Sequence, residues 1–151
     1  MTGTPDEKYF EEYIERYLTS QPITTIGGDR LDRMEYHSVS PTEYDKKLCM
    51  IPTELIAFLK ETQPREYKEL VDITKSEERA QKSILERLDS EMKYGTLRLL
   101  NRNATFQAGY GVSFRLAYFR PANGKNAEFE QQYYQNRLAV VRQLRYSVKK
   151  D

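Results

Sequence analysis

Basic side chains gather in the C-terminal part of this chain, where their type and number suit contact with phosphate groups. Residues 112–150 contain 8 Lys/Arg against 2 Glu, whereas residues 1–111 contain 16 Lys/Arg against 20 Asp/Glu. Arginines that contact phosphate oxygens position a nucleic acid without reading its sequence. The candidate DNA-contacting residues are Arg137, Arg142 and Arg145, with Arg115 and Arg120 nearby. The competing role for these arginines is ion pairing with an acidic helix near the N-terminus.

Few other kinds of chemistry are open to this composition. The single cysteine, Cys49, excludes an internal disulfide and any multi-cysteine metal cluster. The single histidine, His37, leaves no His/Cys zinc set and no Ser-His-Asp pair, and we expect it on the surface or in a loop. No G-x-x-x-x-G-K-[ST] phosphate loop occurs. With no signal peptide and no apolar run of about 20 residues, the chain is expected to be soluble and cytoplasmic.

A strand followed by a helix must position the arginines. Residues 112–119 alternate apolar and other side chains with period 2, which predicts a strand. Pro121 and the turn pair Asn123-Gly124 end it. Asn126 is a suitable N-cap, and the spacing of Tyr134, Leu138 and Val141 then predicts a helix over 127–146.

The rest of the chain is predicted to be mainly helical. Pro5 and a capping box start a helix over 5–19, whose apolar side carries four aromatic rings opposite Glu11, Glu12 and Glu15. Further helices are expected over 53–62, from Pro64 onwards, and over 77–94. Residues 21–50 are expected to be loop-rich with a short strand near Tyr36–Val39, and residues 101–111 form either a β-hairpin or a loop. The predicted fold class is α+β, a helix-rich single or partial domain with a small sheet that includes residues 112–119.

Several runs of residues resemble one known family. FRLAYFRPANG (114–124) and YYQNRLAVVRQLRYS (133–147) are similar to the N-terminal part of the restriction (R) subunit of type I restriction–modification enzymes. Thr62-Gln63-Pro64 and Gly95-Thr96-Leu97 resemble shorter runs of that family, and Phe10-Glu11 resembles a pair on its first helix. The resemblance covers roughly residues 1–20, 44–100 and 112–148, and residues 101–111 differ from the family in length and content. Gln63 is expected to serve a partner or, more simply, to cap the helix after it.

The resemblance implies a nuclease domain of the restriction-endonuclease-like PD-(D/E)xK type. The complete subunit would be an ATP- and magnesium-dependent deoxyribonuclease that translocates along unmodified DNA and cleaves it together with modification and specificity subunits. Glu11 would be an accessory acidic residue close to the metal. In the family the catalytic Asp and Glu-x-Lys strands follow the helix that ends in Arg-Tyr-Ser, so residues 1–151 lack the catalytic strands and the motor domains, and the chain alone is expected not to cleave DNA.

Two internal Glu-x-Lys sequences do not replace the missing centre. Glu66–Lys68 and Glu91–Lys93 both lie in windows with helical period, where residues two apart point in different directions. A catalytic Glu-x-Lys needs a strand, on which residues two apart share one face. The alternative to a restriction enzyme is a non-catalytic protein, which would act as a stand-alone nucleic-acid-binding or protein-interaction module.

Overall fold

The computed structural model describes residues 5–20, 36–122 and 125–144. They divide into two compact units, a central unit of residues 51–136 and a terminal unit that draws on residues 1–50 and 137–151. The terminal unit contains helix α1 (Pro5–Ser20) and strands β1 (Tyr36–Ser38) and β4 (Leu138–Val140). The central unit contains α2 (Pro52–Thr62), α3 (Pro64–Thr74), α4 (Glu77–Met92), α5 (Thr96–Asn101), β2 (Thr105–Gly109), β3 (Val112–Arg115) and α6 (Ala127–Tyr134). The predicted α+β class, helix-rich with little sheet, is confirmed.

Local signals in the sequence set the helices of the central unit. Pro52 and Pro64 occupy the first positions of α2 and α3, where the missing N–H costs nothing. Ser76 caps α4 by accepting a hydrogen bond from the backbone N–H of Arg79. These helices enclose a core with β2 and β3. Its largest fully buried side chains are Leu59, Leu70, Ile84 and Phe114.

The hairpin of β2 and β3 confirms one of the two structures expected for residues 101–111. Its loop residues Tyr110 and Gly111 both have positive φ, 57° and 78°, as a type I′ turn requires. The Ser83 hydroxyl of α4 donates to the carbonyl oxygen of Ala108 at 2.6 Å, which joins the hairpin to that helix. Strand β3 ends at Arg115 and not at residue 119 as predicted. The N–H of Leu116 still donates to the carbonyl oxygen of Ala104 at 2.7 Å, and the backbone of Tyr118 is bound by the side chain of Asn136 and not by a strand.

A polar cluster links α2, α3 and α4 at the surface of the central unit. The Lys60 ammonium forms an ion pair with Glu77, and the Tyr67 hydroxyl donates to Glu77 Oε1 at 3.1 Å. The hydrogen bond from Lys60 is the largest cause that lowers the pKa of the Glu77 carboxyl, and the one from Tyr67 adds to it. A carboxyl whose pKa is lower in the folded than in the unfolded state stabilises the fold above its unfolded pKa and loses this contribution as pH falls through its folded pKa.

We therefore predict that Glu77→Gln destabilises the protein at neutral pH and that the difference from wild type shrinks as pH falls below about 4. Urea unfolding at several pH values measures it. Glu86→Gln is a matched control on the same helix, because the ion pair that Glu86 makes with Lys82, at 3.8 Å, is exposed. A difference for Glu77→Gln that is independent of pH would contradict the prediction.

The terminal unit contains a parallel pair of strands that corrects the predicted helix over 127–146. Strand β1 pairs with β4 in the register Tyr36↔Leu138 to Ser38↔Val140, and the N–H of Val39 donates to the carbonyl oxygen of Val140 at 3.0 Å. The helix ends at Tyr134, and residues 138–140 are extended. Leu-Ala-Val-Val is rich in strand-forming residues, and pairing with β1 outweighs a helical spacing that rested on three residues. The short strand predicted near Tyr36–Val39 is confirmed, and His37 lies half-buried within it and not in a loop.

Helix α1 exposes the side that was predicted to be buried. Tyr9, Phe10 and Tyr13 have 72, 65 and 66% of their surface exposed, whereas Glu12 and Glu15 are partly buried. The glutamates bind polar side chains of the terminal unit, described below, and these contacts select the side of α1 that faces inward. None of the described helices is long and apolar enough to span a membrane.

Candidate functional site

Two side-chain amides in the central unit bind the backbone at the end of β3 and in the segment that follows it. The first is Gln63, at the junction of α2 and α3. The backbone N–H of Arg115 donates to Gln63 Oε1 at 2.8 Å, and Gln63 Nε2 donates to the carbonyl oxygen of Arg115 at 2.8 Å. One side chain thus makes the pair of bonds that a neighbouring strand would make. Gln63 is the N-cap residue of α3, as predicted, and its carbonyl oxygen accepts from the N–H of Tyr67 at 3.0 Å, but its side chain makes no cap hydrogen bond and binds Arg115 instead.

Asn136 does the same for Tyr118. The N–H of Tyr118 donates to Asn136 Oδ1 at 2.8 Å, and Asn136 Nδ2 donates to the carbonyl oxygens of Tyr118 at 2.7 Å and Tyr133 at 2.9 Å. The Tyr118 ring is buried against Phe58, with ring centroids 6.0 Å apart. The chain is therefore held at Arg115, the last residue of β3, and again at Tyr118, which lies outside any strand.

A groove of about 200 Å³ lies beside this held segment. Phe119 and Phe129 line it with 56 and 54% of their surface exposed, and no other aromatic ring of the described chain stacks on either. Arg115 also lines the groove, and the Cζ of its guanidinium lies 5.5 Å from the centroid of the Tyr118 ring. Among the described residues, the groove is lined by Asn103, Arg115, Ala117, Tyr118, Phe119, Pro121, Phe129 and Gln132. Two open rings next to a guanidinium suit a planar ligand that carries negative charge.

The predicted DNA-contacting arginines are divided between the two units. Arg115 and Arg120 are exposed in the central unit, and no carboxylate of the described residues lies within ion-pair distance of either. Arg137 and Arg142 flank β4 in the terminal unit and not a helix end as predicted. Arg145 lies outside the described residues.

Arg142 pairs with the acidic side of α1, which is the competing role considered from the sequence. Its Nε lies 2.5 Å from Glu15 Oε2, and its Nη1 lies 3.7 Å from Glu12 Oε1. Glu15 also accepts a hydrogen bond from the Ser38 hydroxyl. The charge of Arg142 is therefore partly compensated inside the protein.

Glu11 and Arg137 are each engaged by neighbouring side chains of the terminal unit. Gln143 Nε2 donates to Glu11 Oε2 at 3.3 Å. Arg137 Nη2 lies 3.4 Å from Nε2 of His37 on β1. Within the described ranges, no three His, Cys, Asp or Glu side chains cluster as metal ligands would. A metal-adjacent role for Glu11 thus stays a prediction.

The two Glu-x-Lys sequences are placed as the helical period predicts. Glu66–Lys68 lies within α3, and Glu91–Lys93 lies at the C-terminal end of α4. Residues two apart on a helix diverge by about 200° around its axis, so neither pair can act on one metal-bound water from a common face. Both are surface features of the helices.

Comparison with known proteins gives no match to this chain among protein-family models, curated proteins or solved structures.

Proposed function

We propose that this chain is the N-terminal region of the R subunit of a type I restriction–modification enzyme, the subunit that translocates along unmodified DNA and cleaves it. The proposal starts from the resemblance of residues 114–124 and 133–147 to that family. In this proposal magnesium and ATP serve the longer subunit, and residues 1–151 alone do not cleave DNA. The partners are DNA and the modification and specificity subunits.

One observation carries the proposal beyond sequence resemblance. The runs that resemble the family contain both amides and the two residues that they bind. Gln63 makes two hydrogen bonds to Arg115, and Asn136 makes two to Tyr118, all of 2.7–2.8 Å. A chance likeness among scattered residues gives no reason for them to meet. A shared fold would give such a reason, because an amide that takes the place of a neighbouring strand and the backbone that it binds form one structural feature.

The DNA-contacting role falls first on Arg115 and Arg120. Both are exposed and lack a carboxylate partner among the described residues, so binding a phosphate costs no internal ion pair. Arg142 would have to leave Glu15 and Glu12 to do the same. We therefore expect the central unit to contribute more than Arg142 to DNA affinity.

A second candidate, a stand-alone nucleic-acid-binding module, is favoured by the groove with its two open rings. It predicts DNA or RNA binding without any link to restriction. An immunoblot of the native host with antibody against residues 1–151 separates the two. A band several times heavier than 17.9 kDa supports the R subunit, and a band at 17.9 kDa alone supports the module.

The activity test is restriction in the native host. Disrupting the gene that encodes this chain is expected to abolish restriction of unmodified phage DNA, measured as efficiency of plating, while methylation of host DNA continues. Phage DNA carrying the host modification should plate equally on both strains, which is the control. Unchanged restriction of unmodified phage after disruption would refute the proposed function.

A further inference from the structure

We infer that the groove between Phe119 and Phe129 binds an unpaired nucleotide of single-stranded DNA, with the base between the two rings and the phosphate on Arg115. This rests on the proposed function for the choice of DNA as the polymer. It adds the form of DNA that is bound and the place where it is bound.

Phe119 and Phe129 have no aromatic partner among the described residues. Most aromatic side chains near the segment have partners, since Tyr118 packs on Phe58 and Phe114 packs on Phe106 with centroids 6.1 Å apart. Phe119 and Phe129 expose more than half of their surface, and both line the same cavity. Open rings that share a cavity are stacking platforms, which single-strand-binding proteins use because every base has a π-face.

The charge around the groove selects a polyanion over an apolar peptide. Residues 96–125 contain five Lys/Arg and no Asp or Glu. These residues form α5, the hairpin and the segment that supplies most of the groove lining. Glu128 and Glu130 flank Phe129 in sequence, but neighbours on a helix project about 100° away from it. Neither glutamate lines the groove.

Size argues for an unpaired base rather than duplex DNA. The cavity of about 200 Å³ is smaller than the roughly 300–1,000 Å³ of pockets that enclose drug-sized ligands, so it admits one planar group. A base in a duplex is stacked on both faces and cannot enter. The backbone that carries Arg115 and leads to Phe119 is fixed by Gln63 and Asn136, so the platform does not have to be ordered on binding.

The test measures binding of a fluorescently labelled single-stranded oligothymidylate to the chain by fluorescence anisotropy, with a duplex of equal length as the comparison. Phe119→Ala and Phe129→Ala are each expected to weaken single-strand binding by about 5- to 100-fold. The dependence of affinity on salt should stay the same in both. Arg115→Gln should instead lower the slope of log K against log salt by about 0.7, the share of one phosphate.

Two control variants test whether the loss of any exposed ring or any exposed positive charge weakens binding, wherever it lies on the protein. Tyr94→Ala removes a ring that is more exposed than those of Phe119 and Phe129, 71% against 56 and 54%, and that is not among the residues lining the groove. Arg79→Gln removes an exposed charge from α4. Both should bind like the wild type, and far-UV circular dichroism checks that every variant is folded.

Three results would overturn the inference. They are equal affinity of the Phe variants and the controls, tighter binding of duplex than of single strand, and binding of a proline-rich peptide in place of the oligonucleotide. The restriction assay is independent of this measurement. If disruption of the gene abolishes restriction but the Phe variants bind the oligonucleotide like the wild type, the inference is refuted and the proposed function is not. If the Phe variants lose oligonucleotide binding but disruption of the gene leaves restriction unchanged, the proposed function is refuted and the inference is not.

Discussion

Truncation of Phe114 to alanine is expected to lower the free energy of unfolding by about 3–5 kcal/mol. Phe114 has 1% of its surface exposed, lies on β3 directly opposite Phe106, and is the largest fully buried side chain of the core. Alanine removes the ring from contact with its neighbours, and the rigid hairpin and helix α4 cannot close the cavity that remains. A loss of this size is a large part of the roughly 5–15 kcal/mol that holds a domain together.

Phe119→Ala is the matched control, because it removes the same ring five residues later in the same segment. Its 56% exposure predicts a change within about 0.5 kcal/mol. Urea unfolding followed by far-UV circular dichroism measures both variants. Equal losses would mean that Phe119 is buried in the folded protein, which would also remove the open ring from the groove.

Helices α2, α3 and α4 could be predicted closely from the sequence because their ends are encoded locally, whereas α5 was not predicted and α6 ends twelve residues earlier than predicted. Pro52, Pro64 and Ser76 mark the first turns of α2, α3 and α4, and the structure starts each helix at or next to these residues. The hairpin was one of two expected structures, and the positive φ of Tyr110 and Gly111 forms its turn. Caps and tight turns depend on neighbours in the chain, so a single sequence contains the necessary information.

Strand β4 could not be predicted because its partner lies about one hundred residues away. Leu138 pairs with Tyr36, and nothing within a window around Leu138 records that contact. Non-local contacts also decide which side of α1 is buried. Its apolar side was correctly recognised, but Arg142 and Ser38 bind the glutamates and leave the aromatic rings exposed. Tertiary contacts overrode a pattern that is sound for an isolated amphipathic helix.

The candidate site was predicted in part. The sequence identified the arginines as a set because they follow one another along the chain, yet Arg115 and Arg120 belong to one unit and Arg137 and Arg142 to the other. Arg142 shows why type and position are insufficient, since its ion pair with Glu15 depends on the fold. The roles of Gln63 and Asn136 were missed. Both are amides inside the family-like runs, but an amide that binds a backbone 52 or 18 residues away has no local signature.

Asn136→Ala is expected to lower the free energy of unfolding by about 2–4 kcal/mol, a loss second only to that expected for Phe114→Ala. The substitution removes three hydrogen bonds and leaves the N–H and carbonyl groups of the buried Tyr118 without the amide that binds them. Each buried polar group left unpaired costs about 1–3 kcal/mol, partly recovered where water can enter. Denaturant unfolding gives the value, and the groove ligand should also bind more weakly because Phe119 follows Tyr118 directly.

Asn136→Asp tests whether the amide acts through both of its ends. The carboxylate can still accept from the N–H of Tyr118, but it cannot donate to the carbonyl oxygens of Tyr118 and Tyr133 and places negative charge against them. We therefore expect Asp to be no better than Ala at neutral pH and to recover stability at low pH, where the protonated carboxyl regains a donor. Gln131→Ala, on the exposed side of α6, should leave stability unchanged. A tolerated aspartate at neutral pH would show that Asn136 contributes its acceptor alone, and the segment 115–118 would then be held chiefly by Gln63 and the buried ring of Tyr118.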